Sequence, residues 1–425
     1  MAFGDNQNDT YTETETISYG SRIGSSFKGM IPGILLFLGA FPLLFWNEGR
    51  AVKTARALDD GQGVVVEVES NKTIDPDNDG RLVYMTGKAD TTDVLQDSTF
   101  GVTGTWIRLE RKVEIYQWVE HSETKEKKNL GGSVTKTTTY SYSLEWCDDE
   151  VSSAGFKKPG HENPPGGMEF KSETWQAETV SFGAFRLGER QVARIGDDKT
   201  YVIPAAFTSR VDRVQVAGNV IYVPEKGTRA NALNTRDVQS QTRPGDMRVT
   251  YRIVTPHNIS IVAKQRGESF VPYTSKKGGG YKVDLLQDGI ADCDEMFEHA
   301  RTGNTVLTWF LRALGFFLMY AGLKKFLMPI STLGDVLPFL GSLLEVGLGL
   351  VAGVIALVCA LVTCAIAWMF YRPVLGVTLL VLAAAGVLFL WRKRTAIKAK
   401  AGAALDKAKE IKSRIEEKSK EGANA

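Results

Sequence analysis

Residues 305–327 read TVLTWFLRALGFFLMYAGLKKFL, and this apolar stretch decides which kind of fold the chain can adopt. Within it, Arg312 is the one charge before a pair of lysines near the end. Two further apolar stretches follow at residues 346–371 and 373–391. A helix needs about 20 apolar residues to cross a hydrocarbon core of roughly 30 Å, and none of these stretches has the polar face of a soluble helix. The sequence therefore predicts three transmembrane helices in close succession.

Residues 328–345, between the first two of these spans, are apolar but contain two prolines and two glycines. Non-helical backbone is tolerated in a membrane only where other groups satisfy its hydrogen bonds. We therefore expect an interfacial or re-entrant segment that lies along the membrane, with Leu337 and Phe339 in contact with lipid.

The N-terminal part of the chain divides into a polar and an apolar segment. Residues 1–28 have little apolar content and predict a disordered cytoplasmic tail. Residues 29–46 (GMIPGILLFLGAFPLLFW) are long enough to be a fourth span. A secretory signal peptide is the alternative, but the run ends in Phe45 and Trp46 without the small residues of a cleavage site. The sequence favours a retained signal anchor.

Basic residues at the span ends predict the orientation, because Lys and Arg are enriched on the cytoplasmic side. These residues are Lys28, Lys324, Lys325, Arg392, Lys393 and Arg394. Four spans with both termini in the cytoplasm, and with residues 47–304 on the opposite side, agree with all of them. Residues 392–425 then form a basic cytoplasmic helix. Its heptad pattern indicates self-association or contact with anionic lipid, and an isolated solvated helix is an equally good interpretation.

Residues 47–304 predict a domain made mainly of strands. In residues 134–146, aromatic and apolar side chains alternate with polar ones, which is the period of a half-buried strand. Residues 112–120 alternate in the same way, and the polar residues 121–133 predict the connection of a long antiparallel hairpin. Further strands are predicted at residues 63–68, 81–86, 210–216, 248–254 and 259–263, and a helix at residues 290–300. The predicted fold class is an α+β membrane protein with four transmembrane helices.

Composition and motifs exclude several classes of function. The 425 residues include 51 basic and 49 acidic ones, a balance that does not indicate binding to nucleic acid. Motifs for nucleophilic hydrolysis, zinc-dependent proteolysis and phosphate binding do not occur, and the four histidines lack the spacing of metal ligands. We therefore expect no catalytic residues, metal or cofactor. Cys147 and Cys293 are compatible with a disulfide and also with two free thiols.

Two groups of charged residues have both a functional and a structural interpretation. Asp75, Asp77 and Asp79 begin like a calcium-binding loop, but Thr86 occupies the position of its bidentate Glu. A polar turn before a strand is the favoured interpretation. Arg312 inside a span predicts an anchor or a contact between helices more readily than a role in ion conduction.

Small residues in the last two spans predict close packing of helices, either within one chain or between protomers. The glycines concerned are Gly349, Gly353, Gly376 and Gly386.

Short motifs in a fixed order resemble those of the transmembrane protein 43 (LUMA) family. They include NEGR at residues 47–50, VEIYQWVE at 113–120, QRG at 265–267 and FYRP at 370–373. The motif residues are Asn47, Glu48, Gly49, Arg50, Tyr116, Gln117, Trp118, Tyr140, Tyr142, Trp146, His161, Gln265, Arg266, Gly267, Tyr371, Arg372 and Pro373. The resemblance covers most of the chain up to residue 394, and the charged tail beyond it is longer than the family pattern.

The resemblance implies a multispan membrane protein that self-associates and helps to organise membranes. It also implies the inner nuclear membrane and endoplasmic reticulum of animal cells, a place beside lamins and emerin, and a role in modulating channels. The family has no established catalytic residues, which agrees with the lack of enzyme motifs.

The favoured hypothesis is a non-enzymatic membrane scaffold. Its expected partners are membrane lipids, a second copy of the chain and other membrane proteins. A channel or transporter component is the alternative, motivated by Arg312 and Glu345. We expect a bacterial inner-membrane protein with a periplasmic domain, and the endoplasmic reticulum or inner nuclear membrane of a eukaryote is the alternative location.

Overall fold

Three long helices carry the apolar stretches in the computed structural model. The model describes residues 10–204, 206–225, 242–374, 377–378 and 381. The helices are α1 (Tyr19–Gln62), the single turn α2 (Glu189–Val192), α3 (Cys293–Gly334) and α4 (Pro338–Tyr371). Within the described residues, α1, α3 and most of α4 are long and apolar enough to cross a membrane. The predicted fourth span, residues 373–391, lies largely outside the described part of the chain.

Strands make up most of the remaining structure. In chain order they are β1 (Thr10–Ile17), β2 (Val66–Glu67), β3 (Leu82–Asp90), β4 (Val94–Asp97), β5 (Val102–Thr105), β6 (Arg108–Lys128), β7 (Val134–Cys147), β8 (Glu173–Gln176), β9 (Ser181–Phe182), β10 (Phe185–Arg186), β11 (Lys199–Thr200), β12 (Gln215–Ala217), β13 (Val220–Val223), β14 (Met247–Val254), β15 (His257–Arg266), β16 (Ser269–Val271), β17 (Tyr273–Thr274), β18 (Lys282–Val283) and β19 (Leu285–Asp288).

The described strands form two main sheets and two small hairpins. The first sheet has eight strands, with β1-β7-β6-β14-β13-β12 in order, β8 beside β6 and β11 beside β14. The second has seven, with β10-β9-β3-β15-β16 in order, β2 beside β3 and β19 beside β15. The hairpins are β4-β5 and β17-β18. An α+β membrane protein with a β-rich domain is thus confirmed.

The second sheet is covered on both faces, and one face holds the ends of the long helices. Successive side chains of a strand point to opposite faces, so Leu82 and Val83 belong to different cores. Val83 packs in the main core of the domain. Leu82 packs with Ala57 and Leu58 of α1 and with Phe297 of α3.

Both helices therefore continue past the predicted spans and into the predicted β domain. α1 runs on from residue 46 to Gln62, and α3 begins at Cys293 instead of residue 305. Asp292 caps α3 by accepting a hydrogen bond from the N–H of Asp294 at 2.9 Å, which satisfies one of the free donors of the first turn. The helix predicted at residues 290–300 is confirmed as this first part of α3. Hydropathy did not reveal the extension of α1, because only one of its faces is apolar.

The N-terminal segment is ordered from residue 10, so the prediction of a disordered tail through residue 28 is wrong for residues 10–28. β1 pairs antiparallel with β7 along its whole length, from Thr10 opposite Ser141 to Ile17 opposite Val134. Ser18 then caps α1. Hydrogen bonds to the edge of β7 replace the apolar burial that this polar segment lacks, and composition alone does not reveal such a partner.

β6 and β7 form a hairpin much longer than its apolar pattern indicates. The connection predicted at residues 121–133 is strand as far as Lys128, which lies opposite Val134. Only residues 129–133 form the turn. Gly131 and Gly132 have φ values of 86° and 82°, a backbone conformation that glycine adopts without strain.

The end of this hairpin and β1 make a three-stranded ribbon that we call the arm: β1, residues 121–128 and residues 134–141. Both of its faces are polar. On one face Lys136 lies opposite both Glu15 of β1 and Glu126 of β6, and the other face carries paired threonines. Cross-strand pairs of opposite charge stabilise such a ribbon by roughly 0.2–1 kcal/mol each. The arm is built for water on both sides.

The tip of the arm contacts the start of α1 and the turn between α3 and α4, in a region that we call the clasp. Asp335, whose side chain is 2% exposed, is paired with Arg22 and also with Lys128, whose Nζ is 2.9 Å away. The N–H of Gly131 donates to the Val336 carbonyl at 3.0 Å. Three segments that are distant in the chain therefore meet at one buried carboxylate.

Lys128 also reaches Glu345 of α4, at 3.1 Å. Burial acts to lower the pKa of Lys128, but the hydrogen bonds to Asp335 and Glu345 outweigh it and raise that pKa above its ordinary value. The ammonium of Lys128 is therefore charged at neutral pH and bridges the two carboxylates.

Residues 328–345 are mostly helical instead of the irregular segment that their prolines and glycines predict, and their position along the membrane stays a prediction. α3 continues through Pro329 to Gly334, and α4 begins at Pro338. A proline inside an apolar helix is tolerated where neighbouring groups satisfy the freed backbone carbonyl. The helices are joined by a tight turn, beside which Leu337 and Phe339 are exposed.

The clasp conflicts with the predicted topology. It joins the arm, which belongs mostly to the predicted extracytoplasmic domain, to a turn that the basic residues predict to be cytoplasmic. An open polar sheet does not cross hydrocarbon, because its edge groups and charges would lose their water. A closed clasp and a flat bilayer across the middle of α1 and α3 therefore exclude each other.

The other predicted strands are found with shifted ends. Residues 81–86, 248–254 and 259–263 lie in or overlap β3, β14 and β15. Residues 63–68 contain only the two-residue β2, and residues 210–216 overlap β12 only at its first two positions. The end of α1 precedes the first of these two segments, and turns precede the second. Most of their apolar residues therefore do not pair with another strand.

We expect Asp335→Ala to open the clasp, because Arg22 and Lys128 then lose their shared buried partner. In the full chain in mild detergent, trypsin should cleave at Lys128 roughly tenfold faster than in the wild type. Glu123→Ala is the control, since it removes an exposed carboxylate from the same arm and should leave cleavage unchanged. Equal rates for Asp335→Ala and the wild type would show that backbone contacts alone hold the tip.

Candidate functional site

The three long helices meet at a buried carboxylate, Glu48 of α1, whose side chain is 2% exposed. It accepts hydrogen bonds from Arg312 of α3, from Nε at 2.6 Å and from Nη2 at 2.8 Å. The indole N–H of Trp368 in α4 donates to the same carboxylate at 2.6 Å. One group thus fastens α1 to both of the other long helices.

Aromatic rings enclose the guanidinium of Arg312. Its central carbon lies 4.7 Å from the ring centroid of Trp309 and 5.6 Å from that of Trp368. A two-point contact with a carboxylate and cation–π contacts both favour Arg over Lys at such a site. The structure places Arg312 in a contact between helices, one of the two structural roles that the sequence predicts. Its partner Glu48 was not predicted.

The polar residues beside Glu48 in the NEGR motif bind the same part of α3. The side-chain amide of Asn47 donates to the Thr308 carbonyl at 3.1 Å. Arg50 donates to the side-chain Oδ1 of Asn304 and to the Thr308 hydroxyl, both at 2.9 Å. A row of polar contacts therefore continues from the apolar part of the bundle toward the domain.

Gly49, the remaining residue of this motif, faces Tyr371 of the FYRP motif. A Cβ at Gly49 would lie 2.6 Å from the Tyr371 ring, so a larger residue would displace that ring. Arg56 donates to the Tyr371 carbonyl at 2.8 Å. Arg372 and Pro373 follow directly, where α4 ends. The two motifs, at opposite ends of the chain, thus form one contact.

The glycines predicted for helix packing divide into two pairs. Gly349 and Gly353 face Tyr320 of α3 in the same chain, with positions for a Cβ 3.5 Å and 3.8 Å from its side chain. Of the two alternatives left open by the sequence, this pair therefore packs within the chain. Gly376 and Gly386 lie outside the described residues.

The QRG motif meets the turn before β3 in the domain. The N–H of Gly80 donates to the Gln265 carbonyl at 2.9 Å, and the N–H of Gly267 donates to Asp79 at 2.7 Å. Asp75 accepts from the N–H of Asp77 at 2.9 Å. The carboxylates of Asp75 and Asp79 are thus used in a turn, which supports the polar-turn interpretation. Arg266 is exposed beside it.

A third cluster forms where the arm leaves the domain. The His161 ring stacks on Tyr142 with centroids 4.1 Å apart and meets Trp118 edge-on at 4.6 Å. Asn163 holds Trp118 by accepting from its N–H at 2.7 Å and donating to its carbonyl at 3.0 Å. Burial, helped by the hydrogen bond to Glu120, raises the pKa of Tyr142 to about 12.

The neighbouring motif residues are also packed against one another. Tyr116 contacts Trp146 with ring centroids 5.1 Å apart, and Arg248 lies 4.7 Å from the Trp146 ring. The hydrogen bond from Arg248 lowers the pKa of Glu114 below its ordinary value. The motif residues Gln117 and Tyr140 are bonded to the Asp149 carbonyl and to Glu13.

These clusters hold parts of the molecule together through mutual hydrogen bonds. In the described part of the chain, no group of three or more His, Cys, Asp or Glu side chains is placed to hold a metal ion. Cys147 and Cys293 are both free thiols, which settles the alternative left open by the sequence. The arrangement positions helices and strands, and the arm leaves the domain at one such cluster.

The basic residues predicted at the membrane surface have different outcomes. Lys324 lies 3.6 Å from Glu345, and Lys325 is exposed. Arg392, Lys393 and Arg394 lie outside the described residues.

We expect Glu48→Ala and Arg312→Ala each to destabilise the helix bundle by about 3–5 kcal/mol, because either change leaves an unpaired charge in the bundle. The loss of stability in the double variant should be clearly smaller than the sum of the losses in the two single variants. Unfolding in mixed micelles, followed by tryptophan fluorescence, measures all three. Lys324→Ala, which removes a half-exposed charge from α3, is the control and should be nearly neutral. Additive losses in the double variant would contradict a direct pair.

The chain is similar to animal proteins over most of its length. It is 34% identical to transmembrane protein 43 of Rattus norvegicus over 363 residues, which are 83% of this chain and 86% of the relative. For transmembrane protein 43 of Homo sapiens the identity is 32% with the same coverage. The Drosophila melanogaster homolog is 27% identical over 378 residues, which are 86% of this chain and 94% of the relative. No solved structure matches.

These relatives give no support to the predicted bacterial source. The sequence profile described as transmembrane protein 43 matches residues 115–373, which are more than half of the chain and include most of the clustered motifs. With this match, with relatives above 30% identity along most of the chain, and with its long apolar helices, the protein is a multi-pass membrane protein that belongs to the transmembrane protein 43 family.

Proposed function

We propose that this protein is a non-enzymatic membrane scaffold that holds its β-rich domain in a fixed orientation against the membrane and self-associates. The observation that carries the proposal is the continuity of α1 and α3, which run without a break from the apolar stretches into the core of the domain. A flexible linker would let the domain reorient, whereas two packed helices do not.

The contact between helices and domain is apolar and enclosed. Ala57 and Leu58 of α1, together with Phe297 of α3, are at most 4% exposed and pack against the second sheet. The Ser275 hydroxyl adds a hydrogen bond to Asp60 at 2.7 Å. Such a joint transmits position and force between the membrane and the domain, which is what a scaffold requires.

The Glu48 cluster extends the same rigidity to α4. Because Arg312 and Trp368 share one carboxylate, α4 cannot turn about its axis without breaking a buried charged contact. This pairing also favours the scaffold over a channel or transporter component, since it neutralises the charge that motivated the alternative.

Self-association is the second part of the proposal, and the exposed face of α4 supports it. Val346, Leu350 and Val354 are exposed on that face. Gly347 lies among them with open space where a side chain would be. Lipid covers an apolar face as well as protein does, but a glycine on it lets a second helix approach closely.

The proposed partners follow from the same face. Membrane lipids and other membrane proteins are the expected partners. The proposed location is the inner membrane of a bacterium with a periplasmic domain, or else the endoplasmic reticulum or inner nuclear membrane of a eukaryotic cell.

The rigid joint is tested with spin labels at Lys88→Cys in the domain and Phe317→Cys in α3, with the four native cysteines replaced by alanine. We expect a narrow distance distribution in nanodiscs, and a broad one after Ala57→Asp, which places a charge in the joint. Thr54→Asp, at a half-buried position of the same helix, should leave the distribution narrow. A broad distribution in the unaltered joint would remove the scaffold proposal.

Self-association is tested by native mass spectrometry of the full chain in mild detergent and from nanodiscs. We expect a defined oligomer that dissociates to monomers in Gly347→Leu, because the added side chain separates the helices. Gly39→Leu is the control: Gly39 lies on the exposed face of α1, also with open space around it. A wild-type monomer under both conditions would refute self-association and leave the rigid joint untouched.

A further inference from the structure

Aromatic residues mark the end of the apolar bundle that faces the domain. Trp46 of α1, Trp309 of α3 and Phe370 of α4 are 54%, 63% and 70% exposed. The hydrogen bond from Asn47 to Thr308 places the neighbouring residues Trp46 and Trp309 at the same height along the bundle. Exposed Trp side chains are enriched at the level of the lipid headgroups. This belt therefore gives the height at which the headgroups of one leaflet meet the protein.

Cationic side chains lie directly beyond the belt. The Nζ of Lys53 is 5.9 Å from the centroid of the Tyr371 ring, and Arg56, one helical turn further, donates to the Tyr371 carbonyl. Arg372 is the next residue along the chain and is exposed. Residues three apart lie on one side of a helix, so Lys53 and Arg56 face the end of α4 together.

A glycine-rich loop of the domain brings further charge to the same place. The loop is pressed onto α1: a Cβ at Gly278 would lie 2.5 Å from the Cβ of Ala57, so glycine is required. The side chain of Lys53 passes 3.7 Å from the corresponding position of Gly279. Lys276, three residues earlier, is exposed at this edge of the domain.

We call Lys53, Arg56, Lys276 and Arg372 the basic patch. The two acidic residues that follow Arg56 in α1 are paired with other basic residues. Asp60 is paired with Lys277 at 3.1 Å, and Asp59 is paired with Arg301 at 3.0 Å. Among the described residues, no carboxylate lies within 4 Å of the charged nitrogens of the basic patch.

We propose that, when the clasp is open and a bilayer surrounds the bundle, the basic patch binds the phosphates of anionic lipid headgroups in the leaflet next to the domain. Cationic groups at headgroup height attract anionic lipid strongly, and several together act additively. Tyr371 and the belt supply the apolar contact for the acyl chains, while the loop of the domain closes the far side. The site is distinct from the C-terminal basic segment, and it does not depend on self-association.

The test uses the full chain in mild detergent with an equimolar mixture of phosphatidylglycerol and phosphatidylcholine, and native mass spectrometry counts the lipids that stay bound. We expect a preference for phosphatidylglycerol in the wild type. The variant Lys53→Ala/Lys276→Ala/Arg372→Ala should lose on the order of tenfold or more of that preference. Arg56 is kept because it holds α4.

Two further variants make the result decisive. Lys88→Ala/Lys125→Ala/Lys199→Ala removes the same charge from exposed positions away from the patch and should keep the preference. Lys53→Arg/Lys276→Arg/Arg372→Lys keeps the charges and should also retain it. An equal loss in the distant variant, or no loss in the patch variant, would overturn the proposal. Displacement of the lipid by inorganic phosphate would do so as well, because the site would then be one for a soluble anion.

Discussion

The packing of the helices depends on one buried negative charge. Glu48 has little water around it, so its charge must be balanced inside the protein. Arg312 supplies the opposite charge and Trp368 supplies a further donor, and each comes from a different helix. The cost of leaving Glu48 unpaired therefore fixes the rotation and height of α1, α3 and α4 relative to one another. Apolar side chains alone would permit many such packings in lipid.

The motifs that are separate in the sequence contact one another or a segment that is distant in the chain. NEGR meets FYRP at Gly49 and Tyr371, and the turn around Gly80 meets QRG at Gln265. Trp118 of the VEIYQWVE motif donates a hydrogen bond to Asn163, which lies more than 40 residues further along the chain. Each pair ties the beginning of one structural unit to the end of another. The motifs thus describe the joints of the molecule, and most of its strands lie between them.

The sequence predicted the parts of the fold that are determined locally. Long apolar stretches indicate membrane helices, and the alternation around Tyr142 indicates a strand. Glu48, the partner of Arg312, lies 264 residues away and just after the predicted first span. Hydropathy does not indicate which charged residues will pair. The strand at residues 121–128 and β1 lack apolar alternation, because each is ordered by its neighbours on the sheet. The predicted orientation has weaker support than the spans themselves. Arg50, Lys53 and Arg56 follow the first span on the domain side, although basic residues at a span end favour the cytoplasmic side.

The clasp has a consequence for the order in which the chain is completed. Arg22 and Asp335 are 313 residues apart, so the start of α1 is synthesised long before the carboxylate that pairs with it. At about 5–20 residues per second, the interval is roughly 15–60 s. During that time the polar arm has only its own hydrogen bonds, and neither Arg22 nor Lys128 has its acidic partner. The clasp can therefore close only after α3 has been made in full, and closure joins the start of α1 to the turn that follows α3.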